Sequence, residues 1–533
     1  MAVVTSALSI ERAAAASGKP AVASERATMM HDAVIIGAGH NGLVAAAYLA
    51  RAGRSVLVVE RRELAGGACV SEHPWPGWTV STASYVCSLL HPDIISELDL
   101  KAYGYQAYRK DPSSFTVLGD GRSLVLGRDR QANRREIAAW SQADVDGYER
   151  CDAAIVEHAA ELFNAMNDDE PRFERLSGAA QSMFLGSAAT FVERYIETPV
   201  LQAAIASEGI IGTFAGPRDA GTGYVMAHHF AGRALGVQGA WGYVRGGMGS
   251  ISAALAAVAT KQGAQVRTGA AVSTLLVDGG RAAGVALEDG TEIRSRAVLS
   301  NADPRTTFAR LVPSGTLDAE FLKKVSDWRD EGSSLKLNLA LGELPRFAGR
   351  SLNGDGMRQP GSATIHITPD IDYLQRAFQD AAAGLPSREP FLECFLQTPS
   401  DPSLAPPGKH LLSIFAQYFP YNRSDGPWTS SKRETAADLI VETLGRYAPN
   451  VPAAVEERQI LAPPDLEDRF NLPRGHIFHG ELLPGQIFEK RFAVRTPLPG
   501  LYLCGSGTHP GGCVSGIPGW RGARACLQDL AHV

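Results

Sequence analysis

Six residues near the start of the chain have the types and spacing of a phosphate cradle. Gly37-Ala38-Gly39-His40-Asn41-Gly42 fits G-x-G-x-x-G. In that pattern Gly37 allows a tight turn, Gly39 lets backbone approach a pyrophosphate, and Gly42 lets the next helix pack close on a strand. Glu60 follows about 20 residues later, where a carboxylate accepts hydrogen bonds from a ribose diol. A helix opening at the glycines offers unpaired N–H groups and a positive dipole end to phosphate. The chemistry indicated is dinucleotide binding, and the motif alone does not separate FAD from NAD.

Other residues could do chemistry. Gly505-Ser506-Gly507-Thr508-His509-Pro510-Gly511-Gly512-Cys513-Val514-Ser515-Gly516 is a second glycine-rich turn before a helix, again suited to an electron-rich group. His509 within it could bind substrate or shuttle a proton, or only brace the loop. Lys336 lies on an expected strand, and Tyr243 and Arg245 precede Gly246-Gly247, where they could line a substrate pocket. His476 and His479 flank Phe478, but Pro473, Gly475 and Gly480 make that stretch a loop without an obvious carboxylate partner, so no metal is expected. Seven cysteines (Cys69, Cys87, Cys151, Cys394, Cys504, Cys513, Cys526) form no C-x-x-C or C-x-x-x-x-C pair. That pattern lacks the residues for dithiol chemistry and suits a reducing compartment. No Ser/His/Asp order suggests hydrolysis.

These groups need elements to hold them. Residues 33–36 read as a buried strand, 43–52 as a helix ending at Gly53, and 55–59 as a second strand ending at Glu60. Residues 85–100 read as short helical pieces. A hairpin is expected over 101–127, with strands at 115–117 and 123–126 around Gly119-Asp120-Gly121. The spacing of Ile137, Trp140, Val145, Tyr148, Ile155 and Leu162 predicts one helix over 134–162, and 175–206 continues as helix. This apolar material reads as core, not as a membrane face. A helix over 250–263 and a strand over 264–267 lead to an antiparallel meander at 272–277, 284–287 and 291–294. A buried strand at 297–300 follows. Leu335-Lys336-Leu337-Asn338-Leu339-Ala340 alternates like a half-buried strand, and 363–368, 391–396 and 410–418 read as further strands of its sheet. Helices at 432–447 and 517–530 and a strand at 500–504 complete the reading.

The 533 residues are 45% hydrophobic and 20% charged, ordinary for a soluble globular protein of two or three units. A net charge of −6 gives no basic excess for nucleic acid. No apolar run reaches the roughly 18 residues that span a bilayer. Residues 1–30 are Ala- and Ser-rich and lack a continuous apolar core, so they read as a tail and not as a secretory signal. Glu11 and Glu25 count against a transit peptide.

Gly66-Gly67, just past Glu60 in RRELAGGAC, resembles the second signature of the FAD-dependent amine oxidase and phytoene desaturase superfamily. DAVIIGAGHNGLVAAAYLARAG, QGAWGYVRGGMG, VALEDGTEIRSRAVLSN and GLYLCGSGTHPGG extend the likeness over nearly all the chain from Asp32. The resemblance implies an α/β protein: a Rossmann-like FAD-binding domain with a parallel core sheet, interleaved with a mixed-sheet-plus-helix substrate domain. The first would comprise 31–100, 241–305 and 460–533, the second 101–240 and 306–459. Non-covalent FAD would be held by Gly37, Gly39, His40, Asn41, Gly42, Glu60, Arg61, Gly66, Gly67, Ala68, Val272, Gly505, Gly512, Cys513 and Val514. Lys336 would be a counterpart of the relatives' lysine that holds a water near flavin N5, with His509 the second catalytic candidate. The implied reaction removes a hydride from a C–H bond of an apolar, small-molecule or lipid-like substrate, with oxygen, a quinone or another acceptor reoxidising the flavin. The alternatives are C–N oxidation and, in another class, a flavin-containing interaction protein with little turnover. The implied setting is bacterial cytoplasm or mitochondrial matrix, with peripheral membrane contact, a homo-oligomer or a protein partner, and no nucleic acid.

Overall fold

The computed structural model describes residues 30–348, 352 and 360–532. The expected tail lies outside them except for Met30. His31–Ile36, His40–Arg51 and Val56–Val59 form the opening strand, helix and strand. Both strands are apolar and almost wholly buried, as strands covered on two faces must be. Five parallel strands run in the order Gln265–Arg267, Val56–Val59, His31–Ile36, Glu292–Ser300, Leu501–Leu503. His40–Arg51 packs between Gly249–Lys261 and Ile517–Leu530. Gly519 admits the close approach to the last helix, since a Cβ there would sit 2.0 Å from Asn41 O.

The meander Val272–Asp278 and Arg281–Leu287 joins this sheet antiparallel. The expected strands at 291–294 and 297–300 are one strand, Glu292–Ser300. Its first half pairs with Arg281–Leu287 and its second half with His31–Ile36. The expected helix over 134–162 is also corrected: Arg130–Ala138 and Asp144–Met166 are separate. Ser141 Oγ accepts from Asp144 N, and the buried Asp144 carboxylate accepts from Glu197 N and Thr198 N, both at 2.8 Å. Short polar side chains that bond backbone this way favour a helix start over its interior.

A second seven-stranded sheet has the order Val455–Leu461, Ser334–Leu341, His410–Gln417, Phe391–Leu396, Thr364–Ile367, Ser114–Val117, Ser123–Leu126. All neighbours are antiparallel except Thr364–Ile367 with Ser114–Val117. The strand Val455–Leu461 crosses the expected domain limit at 460. One face, with Leu335, Leu337, Leu339, Leu412, Ile414 and Ile365, packs on Ala436, Ile440 and Leu444 of the helix Ser430–Gly445. Ser334–Leu341 is buried at every position, so it is not half-buried as its alternation suggests. Ser334 and Lys336 line an interior cavity. Helices between Asp144 and Phe230 supply the largest apolar cluster.

Candidate functional site

A cavity of about 1240 Å³ runs from the opening glycine turn to the polar face of the second sheet. Ordinary ligand pockets hold roughly 300–1,000 Å³, so this one has room for more than one molecule. At its first end the two glycine motifs pack backbone against backbone. Gly66 N donates to Ala38 O at 2.8 Å, and a Cβ on Gly67 would lie 3.1 Å from Gly39 Cα. Gly37 (φ +90°) and Gly67 (φ +59°) sit in the left-handed region that favours glycine. Glu60 is buried and faces the cavity. Its Oε2 accepts from Ala38 N at 2.8 Å and its Oε1 from Arg62 N at 2.9 Å, leaving each oxygen a further lone pair.

Asn301 is the pivot of this end. It follows the strand Glu292–Ser300, and its Nδ2 donates to Gly37 O at 3.3 Å. A Cβ on Gly39 would lie 2.7 Å from Asn301 Nδ2, and one on Gly505 would lie 2.6 Å from Asn301 O. Asn41 Nδ2 donates to Ser506 Oγ at 3.3 Å, so the glycine turns from the two ends of the chain meet. Arg491 holds the closing turn from behind. Its buried guanidinium donates to the backbone oxygens of Phe478, Glu481, Gln486, Ser506 and Thr508 at 2.7–3.2 Å. Burial lowers its pKa to about 10.

Among the described residues, five buried polar atoms on cavity residues have no protein partner: His40 Nε2, Asn41 Oδ1, Arg62 Nη1, Ser88 Oγ and His479 Nδ1. Burial drives the pKa of His40 down to about 4 and that of His479 down to about 3, so both rings are neutral near pH 7. Orphaned polar atoms, a lone-pair-bearing Glu60 and close glycine backbones fit a polar, phosphate-bearing group.

The far wall is the polar face of the second sheet. Register places Lys336 opposite Phe415, Phe415 opposite Glu393, Glu393 opposite His366, and His366 opposite Thr116. Directly opposed residues share a face, so this row projects into one space. Lys336 is buried, donates to Asn338 Oδ1 at 2.9 Å and to Ser413 Oγ, and lies 4.6 Å from the centre of the Tyr85 ring. Tyr85 packs on Phe395 and Phe415 at 4.5 and 6.0 Å. Burial lowers the Lys336 pKa to about 7. Further along, one ligand atom each of Glu208, His366 and Glu393 lies within 4.8 Å of the others. His366 Nε2 is 3.2 Å from Glu393 Oε1, and its Nδ1 is 3.2 Å from Ser114 Oγ. The buried Lys110 ammonium donates to Thr364 Oγ1 beside them.

Of the expected cofactor residues, Gly37, Gly39, His40, Asn41, Glu60, Arg61, Gly67, Ala68, Val272, Cys513 and Val514 line the cavity. Gly42, Gly66, Gly505 and Gly512 stand behind it as packing positions. A Cβ on Gly42 would meet Gly37 O at 2.2 Å, and one on Gly512 would meet Phe478 at 2.2 Å. Lys336 lines the cavity, but His509 does not. The His509 Nε2 is 3.1 Å from Ala165 O, and its ring packs on Phe488 at 4.9 Å. Tyr243 and Arg245 are also off the lining. Gly242–Val244 pairs with Ala107–Arg109, which buries Tyr243 against Tyr108 at 5.9 Å. Glu208, His366 and Glu393, far apart in sequence, meet in the cavity wall without having been expected as site residues. Asn301, Arg491 and His479 were also missed as site residues. All seven cysteines are free, and burial lifts the Cys513 thiol to about 12, away from thiolate chemistry. Among the described residues no helix is long and apolar enough to cross a membrane.

Comparison with known proteins agrees with this architecture. The family described as flavin containing amine oxidoreductase matches residues 42–526. Pyridine nucleotide-disulfide oxidoreductase domain-containing protein 2 of Mus musculus is 40% identical over 94% of each chain. The lycopene-forming phytoene desaturase of a Paracoccus species is 26% identical over 94% of this chain and 98% of its own. Among solved structures, cyclohexylamine oxidase from Brevibacterium oxydans shares the fold at TM-score 0.59 and 18% identity, over 94% of this chain and all of its own. The chain belongs to the flavin-containing amine oxidoreductase family and is a flavin-dependent oxidoreductase.

Proposed function

We propose that the cavity holds FAD without a covalent link and that the protein removes a hydride from a C–H bond of a small organic substrate. The carrying observation is the continuity of one cavity between the glycine turns and the sheet face that bears Lys336. Glu60, Gly39, Gly67, His40, Asn41 and Val272 would hold the nucleotide part, and Ser506, Cys513 and Val514 the flavin end. The bound flavin would supply the hydride acceptor. The chain orients the substrate and keeps water from the reacting centre. Lys336, with its pKa near neutrality, can accept or return a proton at Nζ. Ile137, Val145, Ile155 and Ile211 also line the cavity, which suits a substrate with an apolar body.

A second reading, oxidation at a C–N bond, draws support from Lys336 lying over Tyr85 beside Phe395 and Phe415. One experiment tests both. Denatured protein should release a yellow chromophore that behaves as FAD. Anaerobic titration with a panel of amines, polyenes and lipids should bleach the bound flavin with one class. Protein that takes up no flavin on reconstitution would refute the cofactor assignment. Holoprotein bleached by no member would refute both substrate readings.

A further inference from the structure

Asn338 stands at a crossing in the second sheet. It is two residues from Lys336 on the strand Ser334–Leu341, so the two side chains leave the same face. Register places Asn338 opposite Ser413 on one side and Gln459 on the other. The amide is wholly buried and uses all of its hydrogen-bonding capacity. Its Nδ2 donates to Thr82 O at 3.1 Å and to Gln459 Oε1 at 3.0 Å. Its Oδ1 accepts from Ser413 Oγ at 2.7 Å and from Lys336 Nζ at 2.9 Å. A carbonyl such as Thr82 O can only accept, so the amide has one orientation and its oxygen is turned to the lysine. Ser413 gives its hydrogen to Asn338 and therefore offers Lys336 a lone pair.

The effect on Lys336 has a direction. Two acceptors fixed beside an ammonium favour the charged form, against a burial that disfavours it. Nζ lies 4.6 Å from the centre of the Tyr85 ring, and both residues line the cavity. The titratable groups around it are Cys394, Tyr85 and, beyond Phe415, Glu393. Burial raises the pKa of both Cys394 and Tyr85, so the two are neutral where Lys336 titrates. The segment that supplies Thr82 O also carries Tyr85, and Ser84 N within it donates to Ala68 O at 3.1 Å. One short stretch thus joins the second glycine motif to the seat of Lys336.

Building on the reading of Lys336 as the group that holds a proton in this site, we propose that Asn338 is its positioning residue: with Ser413 it takes two of the three ammonium N–H groups, holds Nζ at the cavity wall and keeps the protonated form accessible. An asparagine that merely satisfied its buried neighbours would matter to stability at every pH alike.

The test is urea denaturation of purified holoprotein in excess FAD, from about pH 6 to about pH 10.5. Unfolded lysine titrates near 10.4. Lys336 titrates lower when folded, so between the two values the unfolded chain binds more protons, and stability should rise with pH from about 7 to about 10.4. Each protein is compared with the same protein carrying Lys336→Met, which isolates the part of the rise due to Lys336. Asn338→Leu should move the onset of that part down by about one pH unit or more. Ser413→Ala should move it the same way and by less, and it stands in should the leucine variant not fold. Asn338→Asp puts a carboxylate beside the ammonium and should move the onset up by about one unit or more. An onset left in place by the downward and upward variants, or moved by both in one direction, overturns the proposal. The curves need no turnover, so this result is independent of whether Lys336 acts in flavin reduction.

Discussion

The two seven-stranded sheets both have buried central strands, yet they serve the site in opposite ways. The first sheet is parallel at its centre and apolar on both faces, so Ala33, Ile35, Val34 and Val58 do nothing but pack. Its contribution lies at the strand ends, where Gly37, Glu60 and Asn301 leave the sheet together and offer backbone and polar groups to a ligand. The second sheet is largely antiparallel and divides its faces. Leu335, Leu337 and Leu339 enter the core, while Ser334 and Lys336 alternate with them and line the cavity, with Asn338 accepting from Lys336. In one sheet the edge carries the chemistry, and in the other the face does.

That contrast can be broken by substitution. The largest effect should come from Arg491→Met, because methionine has similar reach but leaves five carbonyls without their donor. Each buried orphan costs about 1–3 kcal/mol, so a loss of at least ~3 kcal/mol is expected in chemical denaturation. Gly39→Val should come next and should strip the flavin, since a side chain there enters the space of Asn301 Nδ2 and the cavity at once. Cofactor absorbance per folded protein measures it, and full occupancy would show that the strand-end loops do not hold the ligand.

The sharpest comparison uses neighbours on opposite faces of one strand. Leu337→Ala should cost about 2–5 kcal/mol of stability and leave the rate of flavin reduction in the folded fraction unchanged. Lys336→Met should do the reverse: at least tenfold slower reduction with little loss of stability, because burying Lys336 already works against its charge. If both variants lose the same property, the division of faces is wrong. The smallest effect is with pH. His40 and His479 are neutral when folded, whereas unfolded histidine protonates below about 6.5. The unfolded chain therefore binds more protons, and stability should fall as pH drops from 6.5 through 4. Melting temperatures across that range should show a shallower slope for His479→Gln.

The first sheet was legible because its signals are local. A strand, three glycines, a helix and a carboxylate within 30 residues leave little choice of arrangement. The second sheet was half legible. Leu335-Lys336-Leu337-Asn338 announces a strand, but a period of two reads the same whether the polar side meets solvent or a cavity. Glu208 and Glu393 carry no pattern at all, since only the packing of a helical segment over the sheet brings them together. Asn301 looks like a residue ending a strand, and it is one; its contact with Gly37 is invisible without the parallel pairing of the two strands. Tyr243 and His509 mislead for the opposite reason. Each stands beside a glycine turn, but a two-stranded ribbon and the carbonyl of Ala165 claim their side chains.

Arg491 has a consequence for how this end of the molecule opens. Its five acceptors come from two stretches, 478–486 and 506–508, neither of which belongs to a strand of either sheet. Neither stretch can peel away without uncovering a guanidinium that the other still needs. Fraying of one is therefore penalised by the other, and the two become a single cooperative unit. In hydrogen exchange their protected amides should open together with one shared free energy, and the closing turn should show no private, low-cost opening of its own.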